Sequence, residues 1–143
     1  MIFDKLGLFS NSQAITASAA STDVVDFGAP GTPIRAAAAL GKDLGKSIIP
    51  IRIQIVTTFA TLTSLKVAWQ MDDDEAFGSA TTVLETEAIP LASLVAGYVF
   101  NIQHVPLLST ERYGRLFYTV AGSNATAGAV TAGFVVANQT NYL

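Results

Sequence analysis

Strand-forming composition, repeated period-two alternation and a single-domain length point to an all-β protein, a jelly-roll β-sandwich of about eight short strands. Fifteen threonines with abundant valine and isoleucine are punctuated by Gly, Pro, Asn and Asp, the composition of pleated strands joined by turns. Apolar and polar residues alternate with period two in five separate stretches, whereas sustained helical periodicity is absent. A length of 143 residues suits one domain, large enough for a real hydrophobic core.

The alternating stretches come in chain order. Ile51, Ile53 and Ile55 share a face, with Arg52 and Gln54 opposite. Leu65, Val67, Trp69 and Met71 alternate with Lys66, Ala68 and Gln70. Tyr98, Phe100, Ile102 and His104 form a third face, Leu116, Tyr118 and Val120 a fourth, and Val130, Ala132, Phe134 and Val136 a fifth. From these faces the predicted core is Ile53, Ile55, Val67, Trp69, Phe100, Ile102, Leu116, Tyr118, Phe134 and Val136. Weaker strands are expected at 14–20, 24–27 and 81–86. A turn at Gly122-Ser123-Asn124 is expected to join the last two strands. Helical turns are expected after Asp72-Asp73-Asp74 and at 91–95.

Two segments fit no strand. Residues 1–11 are apolar (Ile2, Phe3, Leu6, Leu8, Phe9) and are read as an N-terminal arm, leaving residues 12–143 as the β domain. Residues 28–47, GAPGTPIRAAAALGKDLGKS, form a twenty-residue connection, a length that in a compact domain is functional or disordered. Packing against a partner and folding back on the sandwich both stay open for these two segments.

Composition narrows the function. Only 13% of residues are charged, against roughly 25% in an ordinary soluble domain, and 22 of the apolar residues are alanine. A surface this poor in charge is expected to be partly covered in an assembly. Net charge is −3 and the basic residues are scattered, so a phosphate backbone is not an expected partner. Without cysteine there is neither a disulfide framework nor a thiolate metal site. No apolar run approaches the ~20 residues of a membrane helix. The start, with Asp4 and Lys5 inside its apolar stretch, lacks the form of a secretion signal. A soluble protein that is not exported by the usual route is expected.

The motifs that could carry chemistry each fail a specific requirement. Gly41-Lys42-Asp43-Leu44-Gly45-Lys46-Ser47 has three residues between its glycines where a phosphate-binding loop needs four, and a strand follows it where a helix should. A calcium loop starting at Asp72 needs glycine sixth and glutamate twelfth, and Phe77 and Val83 stand there; a solvated turn is the better reading. His104, the single histidine, is read as partly buried at a strand end, and no G-x-S-x-G elbow presents a serine to it. Glu85 and Glu87 lie on one strand face, whereas glycosidase carboxylates flank a substrate from two sides. No catalytic residue, metal or cofactor is expected, and the protein is not expected to be an enzyme.

Six collinear segments carry a resemblance: MIFDKLGLFSNSQAIT (1–16), DFGAPGTP (26–33), DLGKSIIPIRIQIVTTF (43–59), LTSLKVAWQMDDDEAF (62–77), IPLASLVAGYVF (89–100) and ERYGRLFYTVAG (111–122). Together they resemble the capsid cement, or head-stabilisation, proteins of tailed bacteriophages. The resemblance implies a jelly-roll β-sandwich on the outer surface of the virion, assembled in the host cytoplasm. There it would bridge neighbouring major capsid protein subunits, as a homo-oligomer in which a dimer is favoured over a trimer. It implies no catalytic residues.

The contact residues follow from the chain itself. Phe3, Leu6, Phe9 and Ile34 lie outside the alternating strands and are candidate apolar anchors, with Arg35 and Lys42 as charges at the rim. Deleting residues 1–9 is then expected to leave the domain folded. A carbohydrate- or receptor-binding sandwich of a phage tail or bacterial surface is the alternative class, and it would need aromatics grouped on one loop face. Trp69, in mid-strand, does not meet that need.

Overall fold

The computed structural model describes residue 3 and residues 5–28, 34–35, 49–107 and 111–135. Eight strands form a curled antiparallel sheet: β1 (Leu8–Ala14), β2 (Ala19–Ala20), β3 (Val25–Asp26), β4 (Ile49–Asp72), β5 (Thr81–Glu85), β6 (Ile89–Pro90), β7 (His104–Val105) and β8 (Tyr113–Phe134). The fold is all-β, as expected; short 3₁₀ turns at Lys5–Gly7 and Leu91–Ser93 are its only helical pieces among the described residues.

Two strands dominate. β4 has 24 residues and β8 has 22, several times the usual five or six. They pair along their whole length, from Ile51↔Phe134 at one end to Asp72↔Tyr113 at the other. β1, β2 and β3 line the free edge of β8, while β5, β6 and β7 line that of β4.

The long ribbon doubles over in its middle. Its register shifts repeatedly between Ile55 and Ser64, and the pairing passes from Ala60↔Ala127 to Leu62↔Gly122, which leaves extra residues on β8. Such bulges bend a strand sharply. Thr61, at φ 74°, holds the bend together: its hydroxyl accepts from Thr126 N (3.0 Å) and donates to Asn124 O (2.8 Å). Gly122 sits at φ 81°, and a Cβ there would collide with the Thr63 side chain, so only glycine fits. The doubling is visible in the core. Trp69 pairs with Leu116 at one end of the ribbon, Phe134 with Ile51 at the other, yet their rings lie 6.5 Å apart. The two halves therefore face one another as the layers of a sandwich.

Between the layers lie Ile51, Ile53, Ile55, Leu65, Val67, Trp69, Met71, Leu116, Tyr118 and Val130, all fully buried, with Phe100 and Ile102 closing one side. The strand faces read from the sequence thus meet in one core. Phe134 is half-buried against it, and Val136 lies outside the described residues. Polar groups inside are paired. The Tyr118 hydroxyl donates to Ser10 Oγ (2.8 Å), which donates to Gln13 Oε1 (2.7 Å), and Gln13 Nε2 donates to the Ala20 carbonyl (2.8 Å). Burial raises the Tyr118 pKa, a shift that the bond to Ser10 only partly offsets.

Several expectations need correction. The separate strands expected at 51–55 and 65–71 are one strand, and so are those expected around 116–120 and 130–136. The expected turn at Gly122-Ser123-Asn124 is a bulge inside β8, not a hairpin. The strand expected at 14–20 is displaced: β1 occupies 8–14 and β2 only 19–20. Residues 8–11, assigned to an arm, are therefore in the sheet, paired through Leu8↔Gly133 and Ser10↔Ala132. The strand expected at 98–105 is reduced to a Gln54↔Val99 bridge and β7. Its backbone bonds to β4 run from Phe100 N to Ile53 O and then from Ile51 N to Gln103 O, three residues against two. That extra residue reverses the alternation, so His104 is exposed and Val105 is buried in its place.

Candidate contact surfaces

The six candidate contact residues do not form one site. Phe9 is corrected outright: it is a fully buried core residue on β1, with its ring edge-on to Trp69 (5.5 Å) and Phe134 (4.9 Å). Alternation did not reveal it because β1 carries two register shifts in seven residues. Phe3 is half-buried and lies over β8, where a Cβ on Gly133 would come within 2.9 Å of its ring. Leu6, in the 3₁₀ turn ahead of β1, is 86% exposed. Ile34 is 95% exposed, and Arg35 beside it is exposed at φ 69°. Lys42 and the glycine motif at 41–47 lie outside the described residues.

The acidic turn after β4 is built around Asp72, which is buried. Its Oδ1 accepts from Asp74 N (3.0 Å) and Ser79 Oγ (3.1 Å), and its Oδ2 accepts from Ser79 N (2.9 Å). The hydrogen bond from Asp74 is the main cause that lowers the Asp72 pKa, with burial acting against it. The Asp73 carboxyl is pushed up, first by its hydrogen bond to Asp72 and then by desolvation. Asp72, Asp73 and Glu111 can bring carboxylate oxygens within 4.8 Å of one another, but Asp72 is already bonded to the turn it closes. Phe77 N donates to Asp74 O (3.0 Å) in this turn, in place of the expected helical start.

Other charged groups sit mainly at the rims. Arg112 forks onto Asp26, with Nε–Oδ1 2.7 Å and Nη2–Oδ2 2.6 Å, and ties β3 to the start of β8. Arg115 lies 4.1 Å over the Phe77 ring and donates to Gln70 Oε1 at 2.9 Å. Lys66 pairs with Glu85 at 3.1 Å across β4 and β5, while Glu87 is exposed. His104 has no hydroxyl or carboxylate bonded to it among the described residues.

Charge is segregated along the molecule. The segments 13–22, 53–65, 89–103 and 116–135 contain no acidic or basic residue, and the backbone brings them together around the bend. Ile15 N donates to Gly128 O, Ala125 N to Thr16 O, and Phe59 N to Leu94 O. The exposed part of this end is threonine, serine, alanine, glycine and Asn124, with Val56 and Val95 standing out at 40% and 48% exposure. Leu6 belongs to the opposite, open end, where β1 meets the last residues of β8.

No curated protein matches the chain in a sequence comparison. The family model named Bbp16 matches residues 9–134, a name that states no activity, partner or location. That span runs from the buried Phe9 of β1 to Phe134 at the end of β8 and takes in almost the whole described sandwich. The chain belongs to the Bbp16 family.

Proposed function

We propose that this protein is a structural component of a bacteriophage virion, a cement protein that binds the outer surface of the head and bridges major capsid protein subunits. The observation that carries the proposal is the collinear resemblance of six segments between residues 1 and 122 to capsid cement proteins. The geometry supports a bridging role in a specific way. A bridge needs two contact surfaces, and the sandwich offers two dissimilar ones: an open end with the exposed Leu6, and a bent end free of charge among the described residues. Depletion of charge marks the buried core of protein interfaces, because an unpaired charge is costly to desolvate there. The stabilising effect is multivalent: each copy adds a modest contact, and many copies raise the barrier to separating subunits across the shell.

In this reading the partners are the major capsid protein and further copies of the chain, with a homodimer the favoured assembly. No catalytic step is involved. The test is to strip the protein from purified heads, add it back, and measure both occupancy by electron microscopy and the temperature at which heads release DNA. Saturable decoration with a higher release temperature is the expected result. Heads that neither bind the protein nor gain stability from it would overturn the proposal.

A further inference from the structure

The doubled ribbon leaves one side of the sandwich open, between the free edges of its two layers. One edge is β5 and the chain leading to β6; the other is the segment 99–103, which runs beside the first half of β4. Two adjoining hollows lie along this side. One of about 300 Å³ is lined by Leu84, Glu87, Ile89 and Asn101, and one of about 260 Å³ by Arg52, Val99 and Gln103. Phe100 and Ile102, both buried, form the floor. Leu84 and Val99 are two of the few large apolar side chains that remain exposed, at 37% and 38%.

Among the described residues, the polar groups along this side have the pattern of an unfilled strand position. The bonds of segment 99–103 to β4 use Tyr98 O, Phe100 N and Gln103 O. By the alternation of an antiparallel ladder, the N–H and C=O groups of Val99, which faces Gln54 across the bridge between the first two of these bonds, point away from β4 toward the open side. On the facing edge Thr86 N donates to Val67 O at 2.9 Å, which turns the backbone groups of Glu85 outward by the same rule. Asn101, Gln103 and Glu87 are exposed, and their side chains have no hydrogen-bond partner among the described residues.

We infer that this open side is a docking groove for an extended segment of a partner protein, one that alternates apolar and basic side chains. The segment adds as a strand along the edge at Val99, the main-chain bonds supplying affinity and the hollows selecting alternate side chains. An apolar side chain of the segment covers Leu84, Val99 and the Ile102 floor. A lysine or arginine of the segment meets Glu87, the carboxylate of this hollow that no described residue pairs, while Glu85 is held by Lys66; charge complementarity of this kind fixes register. The inference rests on the cement reading only for the source of the segment, a capsid subunit, and not for its chemistry.

The test uses the full-length ¹⁵N-labelled protein and a blocked seven-residue peptide of alternating lysine and valine. Saturable shift changes confined to residues 84–89 and 99–103 are expected. Glu87→Gln, an exposed position, should weaken binding about tenfold, the order of one charge-assisted hydrogen bond. The same peptide N-methylated at every second residue, and a glutamate–valine counterpart, should not bind. Absence of saturable shifts, shifts centred elsewhere, or equal binding of the control peptides would overturn the groove. Head decoration separates the two readings: Glu87→Gln protein that binds the lysine–valine peptide poorly yet decorates heads like the wild type keeps the groove but removes it from capsid contact. Wild-type protein that binds the peptide but not heads overturns the cement reading alone.

Discussion

Trp69 illustrates how one residue joins both layers. It is fully buried, its Nε1 donates to Pro106 O at 3.0 Å, and its ring meets Phe9, Phe27 and Phe134 edge-on. Trp69→Ala should therefore cost about 3–5 kcal/mol in a denaturant titration, because the site is braced from both sides and cannot collapse. Gly114 is shaped by the same indole. A Cβ there would come within 2.7 Å of Trp69 Cζ2 and 2.8 Å of Phe27 Cε2, so Gly114→Ala should destabilise by about 1–3 kcal/mol through overpacking. A loss below ~0.5 kcal/mol, the range of unremarkable surface sites, would contradict this packing. Tyr118 and Trp69 were both legible as core in the sequence, since each lies in a regular run. Phe9 was not, because the two register shifts of β1 destroy the period that would have marked it.

Among the elements, β1 and the acidic turn make the clearest predictions. Phe9 anchors β1 in the core while Phe3 merely covers Gly133, so removing residues 1–6 and removing residues 1–9 should differ. The shorter deletion is expected to lower the melting temperature slightly. The longer one should lower it steeply, since it takes out a buried aromatic worth about 3–5 kcal/mol. This revises the expectation that residues 1–9 can be lost without unfolding. The acidic turn should show itself in pH. The Asp72 pKa is lowered in the folded protein, so its contribution is present above the ordinary carboxylate value and is lost as pH falls through the depressed one. Asp72→Asn should be less stable than the wild type at pH 7 and should lose less of its stability between pH 4 and about pH 2. Parallel acid-unfolding curves for the two proteins would show that Asp72 carries no such linkage.

On the scale of the whole molecule the distribution of charge has a measurable consequence. The segments around the bend contain no charged residue, so any self-association there relies on apolar and neutral polar contacts. Sedimentation should reveal a concentration-dependent dimer whose dissociation constant changes little between low and high salt, because screening acts only on charges. A monomer throughout the micromolar range would restrict assembly to the capsid surface. A dimer that dissociates in salt would place its interface at the charged rims near Arg112 or the acidic turn.

The all-β class and most of the core follow from local patterning of the chain. Period-two alternation is a local property of a strand, and wherever a strand was regular the face it assigned is the buried face: Ile51 to Ile55, Leu65 to Met71, Leu116 and Tyr118. Low charge, absent cysteine and the failed motifs were likewise legible without coordinates. Where regularity breaks, the outcome is set by contacts between distant strands. A Gly-Ser-Asn stretch such as Gly122-Ser123-Asn124 reads locally as a turn, but whether the chain reverses or continues depends on its partner. Here β4 continues alongside β8, and Thr61 stitches the bulge between them. The extra residue between Phe100 and Gln103 that turns His104 outward is set by pairing with Ile51 and Ile53, nearly fifty residues away. The groove beside it exists only because the ribbon doubles over. Register is a relation between strands, and a single strand's sequence carries one side of it.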